Sequence, residues 1–147
     1  GWYLRQDIIW HKPNPMPESV RDRCTKSHEY IFLLSKNQNY YFDVDAIKEP
    51  TRRKRSVWNV TKKPYKGAHF AVFPPELIEP CIKAGSEEGD IIMDPFMGSG
   101  TTAMVSKILN RDYIGCELHE KYGELIKDRV DDGLRRSGNI RTPLTTG

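Results

Sequence analysis

The sequence predicts an α/β domain built on a parallel sheet. Two short apolar runs, Asp90–Asp94 and Asp112–Glu117, each precede a helical pattern, so the order is strand, helix, strand, helix. Between the first strand and its helix stands a glycine turn, "GSG" at Gly98–Gly100. A parallel pair needs such a crossover. Ligands of open parallel sheets sit at the carboxyl ends of the strands, which here carry Asp94 and Glu117.

The elements follow in order. Ile8–Trp10 is the centre of a short strand stopped by Pro13. Pro13, Pro15 and Pro17 mark an exposed loop. Tyr30–Leu34 is an apolar, aromatic and partly β-branched strand that can pair with the first as an antiparallel ribbon. Residues 36–68 lack strong periodicity. Pro74 and Pro75 open a helix with Leu77, Ile78, Cys81 and Ile82 on one face and Gly85 as its stop. Asp90–Asp94 and Asp112–Glu117 are expected to be buried strands, and Ser99–Leu109 a helix. From His119 to Arg136, Tyr122, Leu125, Ile126, Val130 and Leu134 recur near helical spacing. Its mixed charges predict a solvated face. Residues 137–147 form a loose tail.

Composition excludes several classes. The 147 residues are 37% hydrophobic and 29% charged, which suits one globular domain. No apolar run is long enough to span a bilayer, and none has the layout of a signal peptide. Cys24, Cys81 and Cys116 form no CxxC pair, so neither a zinc site nor a disulfide framework is indicated, and no metal is expected. A reducing, cytoplasmic compartment is the simple expectation. The chain begins at Gly1 rather than Met, so either an engineered segment or a piece of something longer is expected.

The glycine turn admits several ligands. A phosphate-binding loop needs a lysine that "GSGTT" lacks. A dinucleotide site is matched loosely by Gly98, Gly100 and Ala103, but Asp94 at the mouth of the turn would repel a pyrophosphate. S-adenosylmethionine has no phosphate, and no Lys or Arg occurs between Ile91 and Ser106. Asp94 would attract its ammonium and sulfonium charges, and Glu117 offers two acceptor oxygens to its ribose diol. A turn that merely connects strand and helix is the remaining alternative.

"DPFMGSGTT" resembles the cofactor motif of DNA amino-methyltransferases, which methylate N4 of cytosine or N6 of adenine. The resemblance extends through "DIIWHKPNPMPESVRDRCTKSHEYIFLLSK", "AHFAVFPPELIEPCIKAG" and "YIGCELHEKYGELIKDR". Their order, with the cofactor turn late in the chain, is that of the permuted β class. The resemblance implies a Rossmann-like, S-adenosylmethionine-dependent methyltransferase sheet, incomplete in this chain. It implies that residues 1–136 are a partial methyltransferase domain, 36–68 a DNA-recognition insert and 69–136 the cofactor-binding part. Asp94, Phe96, Gly98, Gly100 and Thr101 would line the cofactor, and Glu117 would hold its ribose. His69, Phe70 and Phe73 would approach its methionine end.

A basic run lies in the implied recognition insert. Arg52, Arg53, Lys54, Arg55, Lys62, Lys63 and Lys66 occur with no acid among them, interleaved with Trp58, Tyr65 and Phe70. Cations neutralise phosphates and aromatic faces stack on bases, so double-stranded DNA is the expected partner. Lys12, Asn14 and Arg21 in the proline loop are further candidates. The family's catalytic loop, [DNS]PP[YFW], is absent. "FPPE" at Phe73–Glu76 has neither the acceptor nor the aromatic, and it opens a helix. No residue of this chain is therefore expected to be catalytic. Either an upstream segment or a second chain supplies the loop, or the chain is a non-catalytic DNA-binding or regulatory remnant of the fold.

Overall fold

The structure, a computed structural model, describes residues 1–62 and 72–138. The chain divides into two compact units, Gly1–Gly67 with Glu76–Ser86, and Ala68–Pro75 with Glu87–Gly147.

The first unit holds a three-stranded sheet of order β2-β1-β3, with β1 at Tyr3–His11, β2 at His28–Ser35 and β3 at Val57–Asn59. β1 and β2 form the expected antiparallel ribbon, with Ile8 opposite Ile31 and Ile9 opposite Tyr30. A bulge between Leu4 and Gln6 shifts the register. Arg5 lies at the bulge. Its Nε donates to Ser35 Oγ at 2.8 Å, and Nη2 donates to the Asn37 carbonyl at 2.8 Å. β3 runs parallel to β1, with Trp58 opposite Trp10. No strand was expected in this aperiodic stretch, because three residues are too few to show an alternation.

One face of this sheet forms a core. Ile8, Trp10 and Trp58 are buried there, and the two indoles donate to the carbonyls of Val60 and Arg55, each at 2.7 Å. Directly paired residues share a face. The opposite face therefore carries Leu4, Tyr30, Phe32, Leu34 and Val57, all exposed. Tyr30 and Phe32 stack at 5.9 Å. The helix α1, Pro75–Gly85, buries Leu77, Ile82 and Ala84. Its end is tied to the loop after β2 by Asp43 N–H donating to the Ala84 carbonyl at 2.8 Å.

The second unit is a βαβα crossover: β4 Ile91–Asp94, α2 Thr101–Ile108, β5 Asp112–Gly115 and α3 Lys121–Arg136. β4 and β5 are parallel, in register from Ile91–Asp112 to Asp94–Gly115. Met97, Ala103 and Val130 are buried together, with Met104, Tyr113, Ile126 and Leu134 packed around them. α2 and α3 pack closely because Gly133 has no side chain: a Cβ there would collide with Met104.

The expectation of two buried strands is corrected. Ile91 is 69% exposed, Met93 67% and Ile114 57%. Only alternate residues, such as Ile92 and Tyr113, face the helices. Among the described residues this sheet has two strands and apolar cover on one face, so its other face stands open.

Candidate cofactor site and basic surface

The carboxyl ends of β4 and β5 build the site. After β4 the chain turns sharply through Gly98 and Gly100, whose φ values are 53° and 81°. L side chains rarely adopt this left-handed region. The two glycines serve different ends. A Cβ on Gly100 would meet Ile126 Cγ1 and Cγ2 at 3.0 Å, so this glycine admits the helix behind the turn. A Cβ on Gly98 would meet only the Phe96 carbonyl, at 3.9 Å, so the space before Gly98 is open.

Backbone hydrogen bonds knit the turn to β5. The Met97 N–H donates to the Cys116 carbonyl at 2.9 Å, and Cys116 N–H to the Asp94 carbonyl at 3.1 Å. Met97 lies against Gly115, where a Cβ could not fit. Asp94 organises the turn from inside. Its Oδ1 accepts from the Phe96 N–H at 2.9 Å and its Oδ2 from the Thr102 hydroxyl at 2.6 Å. Sequence reasoning cast Asp94 as an attractor of ligand charge. It also fastens the start of α2, a task visible in the sequence only as a carboxylate eight residues before a threonine.

Glu117 follows β5. Its Oε2 accepts from the Gly98 N–H at 2.9 Å and its Oε1 from the His119 N–H at 2.9 Å. Donation by His119 N–H, then by the Gly98 and Leu118 amides, holds this carboxyl below its ordinary value of 4.5. It is an ionised acceptor, and these amides do not use all of the carboxylate's acceptor sites. Leu118 follows it in sequence and Phe96 lies two residues after Asp94; they are 91% and 88% exposed.

The structure thus brings together Asp94, Gly98, Gly100, Thr101 and Glu117 in one turn, with Phe96 at its rim. Thr101 is buried at the first position of α2. Phe73 is half-buried in the segment leading into α1. His69 and Phe70 lie outside the described residues.

Two residues escaped the sequence reading. Arg129, on α3, is buried, and its Nη1 donates to Ser99 Oγ and, at 3.4 Å, to the Ser99 carbonyl. The charged residues of α3 were expected on a solvated face, and for Arg129 this is corrected. Its place between Ile126 and Val130, on the apolar side of the helix, was the available signal. Ser99 stands in the sequence only as the expected start of the helix.

The basic candidates lie in the first unit. Arg53 and Arg55 are exposed. Arg52 is paired with Glu49, an acid three residues before the run. Lys54 lies over the Trp58 ring at 5.0 Å. Trp58 itself is buried, which corrects its assignment as a stacking surface. Lys62 is near the Trp10 ring, at 5.8 Å. Asn14 and Lys62 join by backbone–amide bonds in both directions, at 3.2 and 3.3 Å, which fixes the proline loop beside the basic segment. Arg21 is exposed in that loop. Lys12 differs: it is buried, paired with Glu29 and set over Trp10 at 4.8 Å. Burial and the neighbouring Lys62 push its pKa below the ordinary lysine value. Its ammonium is committed within the fold, so it is no exposed phosphate ligand. Lys63 and Lys66 lie outside the described residues, as do Tyr65 and the end of the tail.

Other chemistry finds little support. Burial pushes the Cys81 thiol up to about 11, so it is a packing group. Among the described residues no cluster of three His, Cys, Asp or Glu side chains could hold a metal, and no helix is long and apolar enough to cross a membrane.

Comparison with known proteins adds to this geometry. Residues 1–128 match the N6/N4 methyltransferase family model, described as DNA methylase. The chain is 54% identical over 143 residues to the type II methyltransferase M.SmaI of Serratia marcescens, covering 92% of this chain and 48% of that protein. It is 53% identical over 135 residues to the type II methyltransferase M.XycI of Xanthomonas campestris pv. cyanopsidis, covering 88% and 45%. The chain therefore spans about half the length of these relatives. Among solved structures, the complex of M1.HpyAVI with S-adenosylmethionine is similar at a TM-score of 0.72 and 29% identity, covering 89% of this chain and 64% of that one.

Proposed function

This chain belongs to the N6/N4 DNA methylase family, and from that premise we propose that it is the cofactor-binding and DNA-contacting part of an S-adenosylmethionine-dependent DNA methyltransferase. The target is an exocyclic amine, N4 of cytosine or N6 of adenine. One observation carries the reading: an ionised Glu117 is held by the Gly98 amide at the open side of the glycine turn.

The residues fit this cofactor. Glu117 has lone pairs for a ribose diol. The exposed Phe96 and Leu118 offer apolar faces to a flat heterocycle. The open space before Gly98 lets a ligand approach the backbone. No cation stands between Ile91 and Ser106 to call for a phosphate, and Lys107 is bound to Asp112 at 2.7 Å. Bound here, S-adenosylmethionine supplies an electrophilic methyl group. The chain's own residues bind and orient: Glu117 by accepting hydrogen bonds, Asp94 and Thr102 by holding the turn, Arg53, Arg55 and Arg21 by neutralising DNA phosphates in a bacterial cytoplasm.

Placement of the target amine falls to a [DNS]PP[YFW] loop supplied by an upstream segment or a second chain. The exposed apolar faces of both units, Leu4, Tyr30, Phe32 and Leu34 in one and Ile91, Met93 and Ile114 in the other, favour such a partner. Calorimetry tests the cofactor: S-adenosylmethionine binds, S-adenosylhomocysteine competes and NAD does not. Tight NAD binding with no S-adenosylmethionine binding would overturn the reading. Labelled-methyl transfer tests the division of labour. The chain alone methylates nothing, and adding the upstream segment in cis or in trans yields N4-methylcytosine or N6-methyladenine. Robust transfer by the isolated chain would place the catalytic loop within it.

A further inference from the structure

The glycine turn is braced from behind by one face of α3. Ile126 closes on Gly100, and Arg129, one turn later, reaches Ser99. Arg129 uses a single nitrogen for both the hydroxyl and the carbonyl of Ser99, 30 residues away in sequence. Charge-assisted hydrogen bonds of this kind are stronger than neutral ones, and a buried guanidinium that loses its acceptors is costly. Evidence for a task beyond packing lies in what Ser99 adjoins. The preceding amide, that of Gly98, donates to Glu117 Oε2. An arginine on the far side of the turn is thus linked by two hydrogen bonds and one peptide unit to the acceptor on its open side.

We propose that Arg129 is a positioning residue for the cofactor turn: through Ser99 it fixes the Gly98 amide, and through that amide the direction of the Glu117 carboxylate. Arg129 does not touch the ligand. This inference rests on the reading of Glu117 as the ribose acceptor for its functional consequence, and on the hydrogen bonds alone for its structural one. A chain of contacts is not by itself evidence of coupling, so the test must measure the coupling.

Hydrogen exchange of the free 147-residue chain reads the Gly98 amide directly. Arg129→Met and Ser99→Ala should each speed Gly98 exchange by roughly tenfold, the size expected for one lost charge-assisted hydrogen bond. The amides of Arg111 and Asp112, bonded to Ser106 and Asp90 at 2.8 Å in the same unit, should not change. The double variant should exchange no faster than Arg129→Met, because both changes break one link. Arg129→Lys, which keeps a buried donor, should restore protection in part. S-adenosylmethionine affinity, measured on the same variants, should fall in the same order. Uniform acceleration across the unit would make Arg129 a packing residue and overturn the proposal, as would additive effects or an unchanged Gly98. If wild type binds no S-adenosylmethionine while the selective Gly98 pattern holds, the cofactor reading fails and the positioning role stands.

Discussion

The two units place their chemistry in different materials. At the glycine turn the functional groups are backbone amides and one carboxylate, fixed by Gly98, Gly100, Asp94 and Arg129. Around the basic segment they are long cationic side chains above a tryptophan core. Backbone geometry tolerates few residues, so its sequence signature is narrow. Surface charge tolerates many, so its signature says only that cations are near. Five cations of the run fall among the described residues, and they have different fates: Arg52 meets Glu49, Lys54 and Lys62 lie over indoles, and Arg53 and Arg55 stay exposed.

The largest effect is expected where this contrast is sharpest. Gly100→Ala combines a left-handed residue, about 1–2 kcal/mol, with a close contact to Ile126, about 1–3 kcal/mol. Domains are stable by only roughly 5–15 kcal/mol. Denaturation of this variant, followed by far-ultraviolet circular dichroism, should show an early transition in the second unit. Gly98→Ala bears the backbone cost alone, since nothing crowds its Cβ. It should unfold between wild type and Gly100→Ala, and lose cofactor affinity as well. Equal destabilisation by both changes would mean that the two glycines do not divide their work as described.

Next comes Glu117→Ala. S-adenosylmethionine affinity should drop roughly ten- to a hundredfold, as for lost hydrogen bonds to a charged acceptor. The pH dependence follows from the direction of its shift. The carboxyl is held below 4.5 in the folded chain, so the unfolded chain takes up the proton first. The turn's hydrogen bonds contribute fully above that pH and are lost as pH falls through the depressed value. Cofactor binding that weakened on raising the pH from 5 to 7 would contradict this sign.

The smallest effect belongs to the basic segment. Each phosphate contact contributes about −0.9 to the slope of log K against log salt. Arg53→Gln with Arg55→Gln should flatten the slope for duplex DNA by about 2, whereas Lys12→Gln should leave it unchanged. A slope that moved with Lys12 and not with the arginines would invert the ranking of exposed and buried cations.

These outcomes bear on how much could be read from the chain itself. The order of strands and helices was legible from Pro74 onward, because Pro-Pro, Gly85 and the glycine turn punctuate it. The meeting of Gly98 and Glu117 was legible as well, since parallel strands deliver their carboxyl ends to one side. β3 was not, being too short for a period. The role of Arg129 was hidden because a charged residue in an amphipathic helix is normally solvated. The exposure of Ile91 and Met93 was hidden for another reason: an apolar run shows which residues can be buried, not how many faces of the strand are covered.

The tryptophan core has an optical consequence. Trp2, Trp10 and Trp58 are the only three indoles in the chain, and all belong to the first unit. All three lie near lysine ammonium groups, and two of those lysines, Lys54 over Trp58 and Lys62 near Trp10, belong to the basic segment. Intrinsic emission is therefore a built-in reporter of the basic segment, sensitive to charge brought near those rings. The cofactor turn is dark at the same wavelength. A fluorescence melt can register one unit in full while the other comes apart unseen.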